Sequence, residues 1–229
     1  MGILTNALTI SLGGLLGSLF KKFSTENFIK MCGICLIIIS SVGFLENVFA
    51  VEGITVTSDG LVLIVISLCI GYLIGTLLNL EKKTLKSNPT LNKQNSAFLD
   101  ATMFFSIGGL QITGSILLAF SGDSSMLYLK SMVDLPFAIM LGSTLGRVVS
   151  LSAIPVALFQ AIIFLISKLL GDFITPTFLK ELCAISYAIL FFSGYNLLVE
   201  DKNKFSSVNM LPSVLILILI EIVKNAIGR

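Results

Sequence analysis

The sequence has no histidine and no tryptophan, and only 12% of its 229 residues are charged. Soluble domains carry about 25% charged residues, so this chain lacks the polar surface needed to cover a core in water. Without histidine, haem or zinc bound through an imidazole is excluded. Basic and acidic residues nearly balance, 15 against 13, and the basic ones gather in short loops, so we expect no nucleic-acid binding. The composition predicts a protein of the lipid bilayer.

Cysteine and catalytic residues are also sparse. Cys32 and Cys35 have the spacing of a redox or metal pair, but no second pair and no histidine accompany them. We interpret the four cysteines as small residues on membrane helices and expect no metal site and no cofactor. No serine has a base partner evident in the sequence, and no polar segment is large enough to hold an active site, so we expect that the protein is not an enzyme.

Long apolar runs make up most of the chain. A spanning helix needs about 20 apolar residues. The segments that qualify are roughly 3–20, 31–49, 60–80, 98–120, 128–146, 150–168, 182–199 and 208–226. The first has no basic region before it, so we expect it to belong to the mature protein. The sequence predicts an all-α polytopic membrane protein with about eight transmembrane segments, or seven if 128–146 is re-entrant.

Lysines predict the orientation of the first half. Loops one and three together contain seven lysines, whereas the loop between them has three acidic residues and no basic one. Because cytoplasmic loops are rich in Lys and Arg, we expect loops one and three in the cytoplasm and the N-terminus outside. The polar stretch 81–96 is the predicted cytoplasmic linker. The lysines concerned are Lys21, Lys22, Lys30, Lys82, Lys83, Lys86 and Lys93.

Two segments resemble each other. "FIKMCGICLIIISSVGF" (28–44) aligns with "FLKELCAISYAILFFSGY" (178–195) with one inserted residue, and the same offset pairs segment one with six and three with eight. Copies separated by two further helices have inverted topology, which is common in transporters with a midplane site at the repeat interface. We therefore expect a first repeat in 1–80, central helices in 97–149 and a second repeat in 150–229. A re-entrant fifth segment would make the copies parallel.

The stretch "KSMVDLPFAIMLGSTLG" (130–146) combines an acid, a proline and glycines. Lys130 and Asp134 lie one helical turn apart and can pair. Pro136 lacks a backbone donor and suits a first helical turn. We expect a helix or half-helix starting near 133–135, with Asp134 as a helix cap. The alternative is that the pair anchors the chain at the outer surface.

Other polar residues lie within apolar segments. An unsatisfied polar group is costly inside a membrane, so we interpret these residues as candidate functional residues. Gln160 is the clearest case, because it lies mid-segment with no polar neighbour. For Asn6 a hydrogen bond between helices is an equally good explanation. Asp100, Arg147 and Glu221 are interpreted mainly as interface or helix-end residues. The candidate substrate-binding or ion-binding residues are Asn6, Gln111, Lys130, Asp134, Ser143, Gln160 and Asn196.

Glycines recur at four-residue spacing, which lets helices approach closely. We expect these faces to pack within one protomer or to form a homodimer. Gly108 and Gly109 are expected to loosen the fourth segment around Gln111. The pairs concerned are Gly13/Gly17, Gly71/Gly75 and Gly142/Gly146.

Four stretches together resemble an uncharacterised bacterial membrane family catalogued as domain of unknown function 554. They are "GILTNALTISLGGLLGSLFKK", "SIGGLQITGSI", "KSMVDLPFAIMLGSTLG" and "LSAIPVALFQA", and the resemblance covers nearly the whole chain. The chain departs from the family's usual pattern at Leu135 and at Phe159 and Ala161, where the family has Gly, Tyr and Gly. The resemblance implies a multi-pass protein of the bacterial inner membrane, usually labelled a transporter, and supplies no substrate.

These observations favour a transporter of a small solute or ion. Coupling to protons through Asp134 or Asp100, or to sodium, is equally compatible with the sequence. We expect Asp134, Gln160 and either Asn6 or Asn196 to converge on one site. The alternatives are an oligomeric passive ion channel and a membrane scaffold or sensor, whose polar groups would all be satisfied within the protein.

Overall fold

The computed structural model describes residues 1–20, 26–52, 55–58, 60–81, 93–106, 109–170, 175–200 and 203–227. Helices account for most of these residues. The elements in chain order are α1 (Gly2–Leu19), α2 (Glu26–Val48), β1 (Phe49–Glu52), β2 (Thr55–Ser58), α3 (Leu61–Leu77), α4 (Lys93–Ser106), α5 (Gly109–Ser121), α6 (Ser125–Leu145), α7 (Val148–Leu151), α8 (Ala153–Leu170), α9 (Pro176–Asn196), α10 (Ser207–Met210) and α11 (Pro212–Ile227).

The helices have the length and composition of membrane spans. Six spans qualify among the described residues: α1, α2, α6, α7 with α8, α9, and α10 with α11. Helices α4 and α5 meet at an angle of 57°, which fits either a broken span, the seventh, or a re-entrant loop. Helix α3 is an apolar helix of 17 residues, at the short end of the range of about 17–25 that crosses a bilayer. The predicted all-α polytopic fold is confirmed.

Helices α1 and α6 form the most extensive helix pair in the described residues. Gly2 lies against Leu127 and Gly13 against Ala138, so the two helices run parallel. Small residues make this approach possible, since a side chain on Gly17 would meet the backbone of α6.

Three other helix pairs run antiparallel. Gly33 near the start of α2 lies against Gly194 near the end of α9, and each glycine faces the backbone carbonyl of the other. On α3, Gly71 lies against Ser213 and Gly75 against Asn209, so α3 opposes α10 and α11. Helix α1 also packs along α8, which starts beside the C-terminal half of α1.

These antiparallel pairs match the segments that the sequence comparison aligned. Helices α1 and α8, α2 and α9, and α3 and α11 each pack on their counterpart in the opposite direction. In two copies of a three-helix unit with inverted topology, the corresponding helices run in opposite directions across the membrane, as these helices do. The inverted repeat itself stays a prediction.

The predicted helix start near 133–135 is wrong. Helix α6 is continuous from Ser125 to Leu145, with Asp134 near its middle and Pro136 inside it. Asp134 does not cap a helix because its carboxylate pairs with Lys130, one turn earlier. The interruption falls in the fourth segment instead, between Ser106 and Gly109, which is where the glycine pair was expected to loosen the helix. Of that pair, Gly108 lies outside the described residues.

Several element boundaries also differ from prediction. Strands β1 and β2 form an antiparallel hairpin between α2 and α3, in a stretch interpreted as a loop. Helix α4 begins at Lys93, inside the predicted linker 81–96, of which residues 82–92 lie outside the described part. Helix α9 begins at Pro176, six residues before the predicted start at 182. Helix α11 ends at Ile227, one residue from the predicted end at 226, so Glu221 lies inside the helix and not at its end.

Of the six glycines in the pairs proposed for close helix packing, five pack within the chain, whereas a side chain at Gly146 would meet nothing within 4 Å. Gly13 and Gly17 pack on α6, and Gly142 packs on Gly14. Gly71 and Gly75 likewise pack on the start of α10 and α11. These glycines were expected either to pack within one protomer or to form a homodimer. The contacts show packing within the protomer at these glycines, and nothing in the structure assigns them to a dimer.

Candidate ion or solute site

Four helices form a closed ring of contacts. Helix α1 packs on α6 and α8, and α5 packs on the same two helices from the other side. Each helix of this ring, which we call the polar ring, contributes buried polar side chains. They are Asn6 from α1, Gln111 from α5, Lys130 and Asp134 from α6, and Gln160 from α8, with exposures between 0% and 5%.

Lys130 and Asp134 form an ion pair inside the ring. The Lys130 Nζ donates to Asp134 Oδ2 at 2.7 Å, and both side chains are less than 8% exposed. The pair is therefore buried in the protein and is not an anchor at the outer surface. Burying two charges carries a large desolvation cost that their attraction only partly offsets, so such a pair is weak support for a stabilising role.

Asn6 lies on the inner face of α1. Gly2, Asn6, Ile10 and Gly13 recur at helical spacing and are buried, whereas Leu4 and the other leucines of α1 face outward. The Asn6 amide lies next to the Asp134 carboxylate. Neither of its amide atoms makes a hydrogen bond of good geometry in the described structure.

Gln111 lies in the first turn of α5, just after the helix break. Helices α5 and α6 are joined by three residues and run antiparallel, and Gly114 lies against Leu127. Gln111 lies about one turn before Gly114, and Lys130 lies about one turn after Leu127. Because the two helices are antiparallel, Gln111 and Lys130 lie at the same depth. Gln111 is fully buried, and both of its amide atoms are without a partner among the described residues.

Gln160 lies near the middle of α8. Its neighbours Leu158, Phe159 and Ile162 are exposed, whereas Gln160 itself is fully buried on the same face as Val156. That face packs on α1 and α5. Both amide atoms of Gln160 also lack a hydrogen-bond partner in the described part of the chain.

The three amides leave six buried polar atoms without a described partner. Each unsatisfied buried group costs about 1–3 kcal/mol, and more than 90% of buried polar groups in native proteins are satisfied. Three such side chains in one ring of helices are therefore a concentrated cost that a bound ion, solute or water would remove. The ring offers oxygen acceptors, amide donors, one carboxylate and one ammonium.

Two predicted site residues lie elsewhere. Ser143 donates to the backbone carbonyl of Met140 near the end of α6. Asn196, at the end of α9, bonds the backbone of Phe205 through both amide atoms. Each is satisfied by a local neighbour and does not join the polar ring. The side chain of Asp100 lies outside the described residues.

A second buried acidic group was missed by sequence reasoning. Glu181 is 4% exposed and its Oε2 has no described partner, while Glu221 on α11 accepts a hydrogen bond from Thr175 at 3.2 Å. The two carboxylates lie close enough to interact electrostatically. Glu181 was overlooked because the seventh segment was started at residue 182, which placed the acid in a loop.

Metal ligands are few in the described structure. Over the described ranges, no three Cys, Asp or Glu side chains come together in the manner of a metal site. Cys32, Cys35, Cys69 and Cys183 are free thiols. A transition-metal centre therefore has no ligand set among these residues, whereas alkali cations need only oxygen ligands.

A family described as "Protein of unknown function (DUF554)" matches residues 1–222 of the chain. The chain belongs to the DUF554 family. Two DUF554-like relatives match along nearly their full length. The "Uncharacterized membrane protein YdfK" of Bacillus subtilis (strain 168) is 28% identical over 232 residues, covering 99% of this chain and 98% of its own. The "Uncharacterized protein YqgA" of Escherichia coli (strain K12) is 25% identical over 230 residues, covering 94% of each chain.

No solved structure matches this DUF554 chain. The resemblance noted from the four sequence stretches is confirmed by the family match. The name of the Bacillus relative, a membrane protein, agrees with the membrane-length helices.

Proposed function

We propose that this DUF554 protein transports a small solute or ion across the bacterial inner membrane through the polar ring. The supporting observation is the set of six amide atoms without a described hydrogen bond, on the same ring of helices as a buried ion pair. A scaffold or sensor gains nothing from unsatisfied amides in its interior. A carrier needs them, because they replace the hydration shell of its cargo.

The helix break supports the same proposal. Gln111 lies in the first turn after the interruption between α4 and α5. Discontinuous membrane helices in transporters place free backbone groups beside the substrate near the bilayer centre. Because the last carbonyls of α4 and the first amides of α5 have no partners within their own helices, they extend the set of groups that the ring offers.

The orientation is part of the proposal. In the sequence, the lysine-rich stretches adjoin the end of α1, the start of α2 and the end of α3. We assign those helix ends to the cytoplasm and the N-terminus to the outside. The antiparallel packing of the aligned helices supports an inverted repeat with the polar ring next to the repeat interface.

Gln160→Leu tests the proposal in purified protein reconstituted into liposomes. We expect the flux of the transported probe, measured with Na⁺, K⁺, chloride and glycine as probes, to fall at least about tenfold. The thermal stability of Gln160→Leu should be unchanged or higher, because the substitution removes an unsatisfied buried amide. The matched control is Phe159→Leu, at the exposed neighbouring position, which should change neither quantity.

Equal flux in Gln160→Leu and the unmodified protein would contradict a site in the polar ring. Flux that shows no saturation and no exchange of labelled probe across the membrane would identify a passive channel instead of a carrier.

A further inference from the structure

We propose that the chain binds a small monovalent cation in a cavity at the end of the bundle where α2 ends and α9 begins. The buried carboxylate of Glu181 is the main binding group. No residue of this cavity belongs to the polar ring, so the inference does not depend on transport through that ring.

The cavity lies between the last turn of α2, the start of β1 and the first turns of α9. Its lining residues from the two helices are Glu46, Asn47, Val48, Thr177, Lys180 and Glu181. The three residues of α9 lie one helical turn apart, so they share one face of that helix. This face of α9 and the C-terminal end of α2 border the same cavity.

Glu181 is the side chain in this cavity that needs a partner. It is 4% exposed, and its Oε2 makes no hydrogen bond within the described part of the chain. Gly60, the residue before α3, lies against the same carboxylate, and a side chain at Gly60 would overlap it. Because the N-terminal end of a helix favours negative charge, the start of α3 favours the ionised form of Glu181. A buried anion with an unpartnered oxygen is costly unless a positive group neutralises it.

The end of α2 supplies further oxygen atoms. The last four carbonyl groups of a helix have no partner within that helix, and they carry the negative end of its dipole. The Asn47 side chain donates to the Gly43 carbonyl at 2.8 Å, one turn earlier, so it does not satisfy the carbonyls of the last turn. Carbonyl and carboxylate oxygens are the ligands that hard cations prefer.

The charged side chains around the cavity leave room for one positive charge. Glu46 and Lys180 line the cavity with Glu181, and Glu221 and Lys224 interact with Glu181 electrostatically. Three carboxylates against two ammonium groups leave one negative charge without compensation. Lys224 lies 3.7 Å from Glu221 and does not pair with Glu181 Oε2, and Lys180 is exposed. One bound monovalent cation would restore neutrality.

The size of the cavity and the number of acidic ligands select the ion. The cavity has a volume of about 50 Å³, and a cavity needs about 10–15 Å³ to hold one water molecule. A sodium, potassium or ammonium ion fits with a few waters, whereas choline, with its three methyl groups on nitrogen, is too large. Calcium takes about 6–8 oxygen ligands, often from several carboxylates. Among the residues that the structure describes, no three acidic side chains converge in that way.

Thermal unfolding of the purified protein in detergent tests the site. Ammonium, potassium and sodium chlorides are titrated at constant ionic strength, which choline chloride maintains, and calcium chloride is tested separately. A cation that binds the folded protein raises the unfolding temperature once its concentration exceeds its Kd. We expect at least one of the three small monovalent cations to do so with a saturable dependence, and the strongest of them identifies the ion.

Three variants locate the bound cation. Glu181→Gln removes the charge with little change of shape and should raise the Kd at least about tenfold. Glu46→Gln, at the exposed edge of the cavity, should raise the Kd about two- to fivefold. The matched control is Glu26→Gln, which makes the same change at the opposite, exposed end of α2 and should leave the Kd unchanged. If Glu181→Gln does not fold, the titrations of the unmodified protein and of Glu46→Gln carry the test.

The site is overturned if no small monovalent cation raises the unfolding temperature above that in choline, or if calcium alone does so. It is also overturned if Glu181→Gln binds the cation as tightly as the unmodified protein. A cation effect that Glu181→Gln keeps and Gln160→Leu loses would place the ion in the polar ring. The proposed transport function would then stand without this second site.

Discussion

Asp134→Leu is expected to lower the free energy of unfolding by about 3–5 kcal/mol, because it leaves the Lys130 ammonium buried without its partner. The effect is large because both side chains are almost fully buried. The double variant Lys130→Met/Asp134→Leu removes both charges and should recover most of the lost stability. Chemical denaturation in detergent micelles measures both quantities.

The double variant separates stability from function. It should fold and yet transport no probe, because the carboxylate is absent. The matched control is Glu26→Leu, which breaks the ion pair of Glu26 with Lys30 at the same 2.7 Å distance and four-residue spacing, but at an exposed position. That control should leave the free energy of unfolding nearly unchanged, because water screens an exposed ion pair. If Asp134→Leu lowers the free energy of unfolding no more than Glu26→Leu does, the Lys130–Asp134 pair of α6 is not buried.

Gly17→Val is expected to separate α1 from α6 and to abolish the cooperative unfolding transition. A side chain at residue 17 would occupy the position of the Ile139 backbone, and backbone atoms cannot rotate away as a side chain can. Overpacking in a well-packed core costs about 1–3 kcal/mol, and we expect a larger loss of stability here because the obstacle is a helix backbone. The yield of monodisperse protein and thermal unfolding in detergent measure this loss of stability.

The control for Gly17→Val is Leu16→Val. Leu16 is the preceding residue of α1 and is 46% exposed, so shortening it should leave yield and unfolding temperature nearly unchanged. Equal behaviour of the two variants would contradict the parallel packing of α1 on α6. Because Asn6 reaches Asp134 only through this packing, the polar ring would then lose its basis.

The membrane class and the buried polar residues of the candidate site could be predicted from the sequence because both depend on strong local signals. A chain with so little charge has no alternative to lipid, and Gln160 stands out because every neighbour is apolar. The ion pair of Lys130 and Asp134 follows from their spacing alone. Asn196 shows the limit, since its hydrogen bonds to Phe205 depend on a chain reversal that no local pattern reveals.

The position of the helix break could not be read from single residues. Pro136 and Asp134 both favour a helix start, yet α6 continues through them because Lys130 neutralises the acid and the apolar run extends back to Met126. The glycines before Gln111 carry a weaker signal and mark the interruption. Glu181 was not identified as a buried residue for a related reason. The extra turn at the start of α9 depends on Thr175 capping the helix, so the helix begins earlier than the apolar run suggests.

The central claim is that polar solutes reach the polar ring from water. It is tested most directly by Asn6→Cys in protein whose four cysteines are replaced by alanine, treated in intact membranes with a small charged thiol reagent. The account predicts that Cys at position 6 reacts, whereas Leu8→Cys on the exposed, lipid-facing side of α1 does not. A thiol at position 6 that stays unreactive in membranes and reacts only after unfolding in detergent would contradict it.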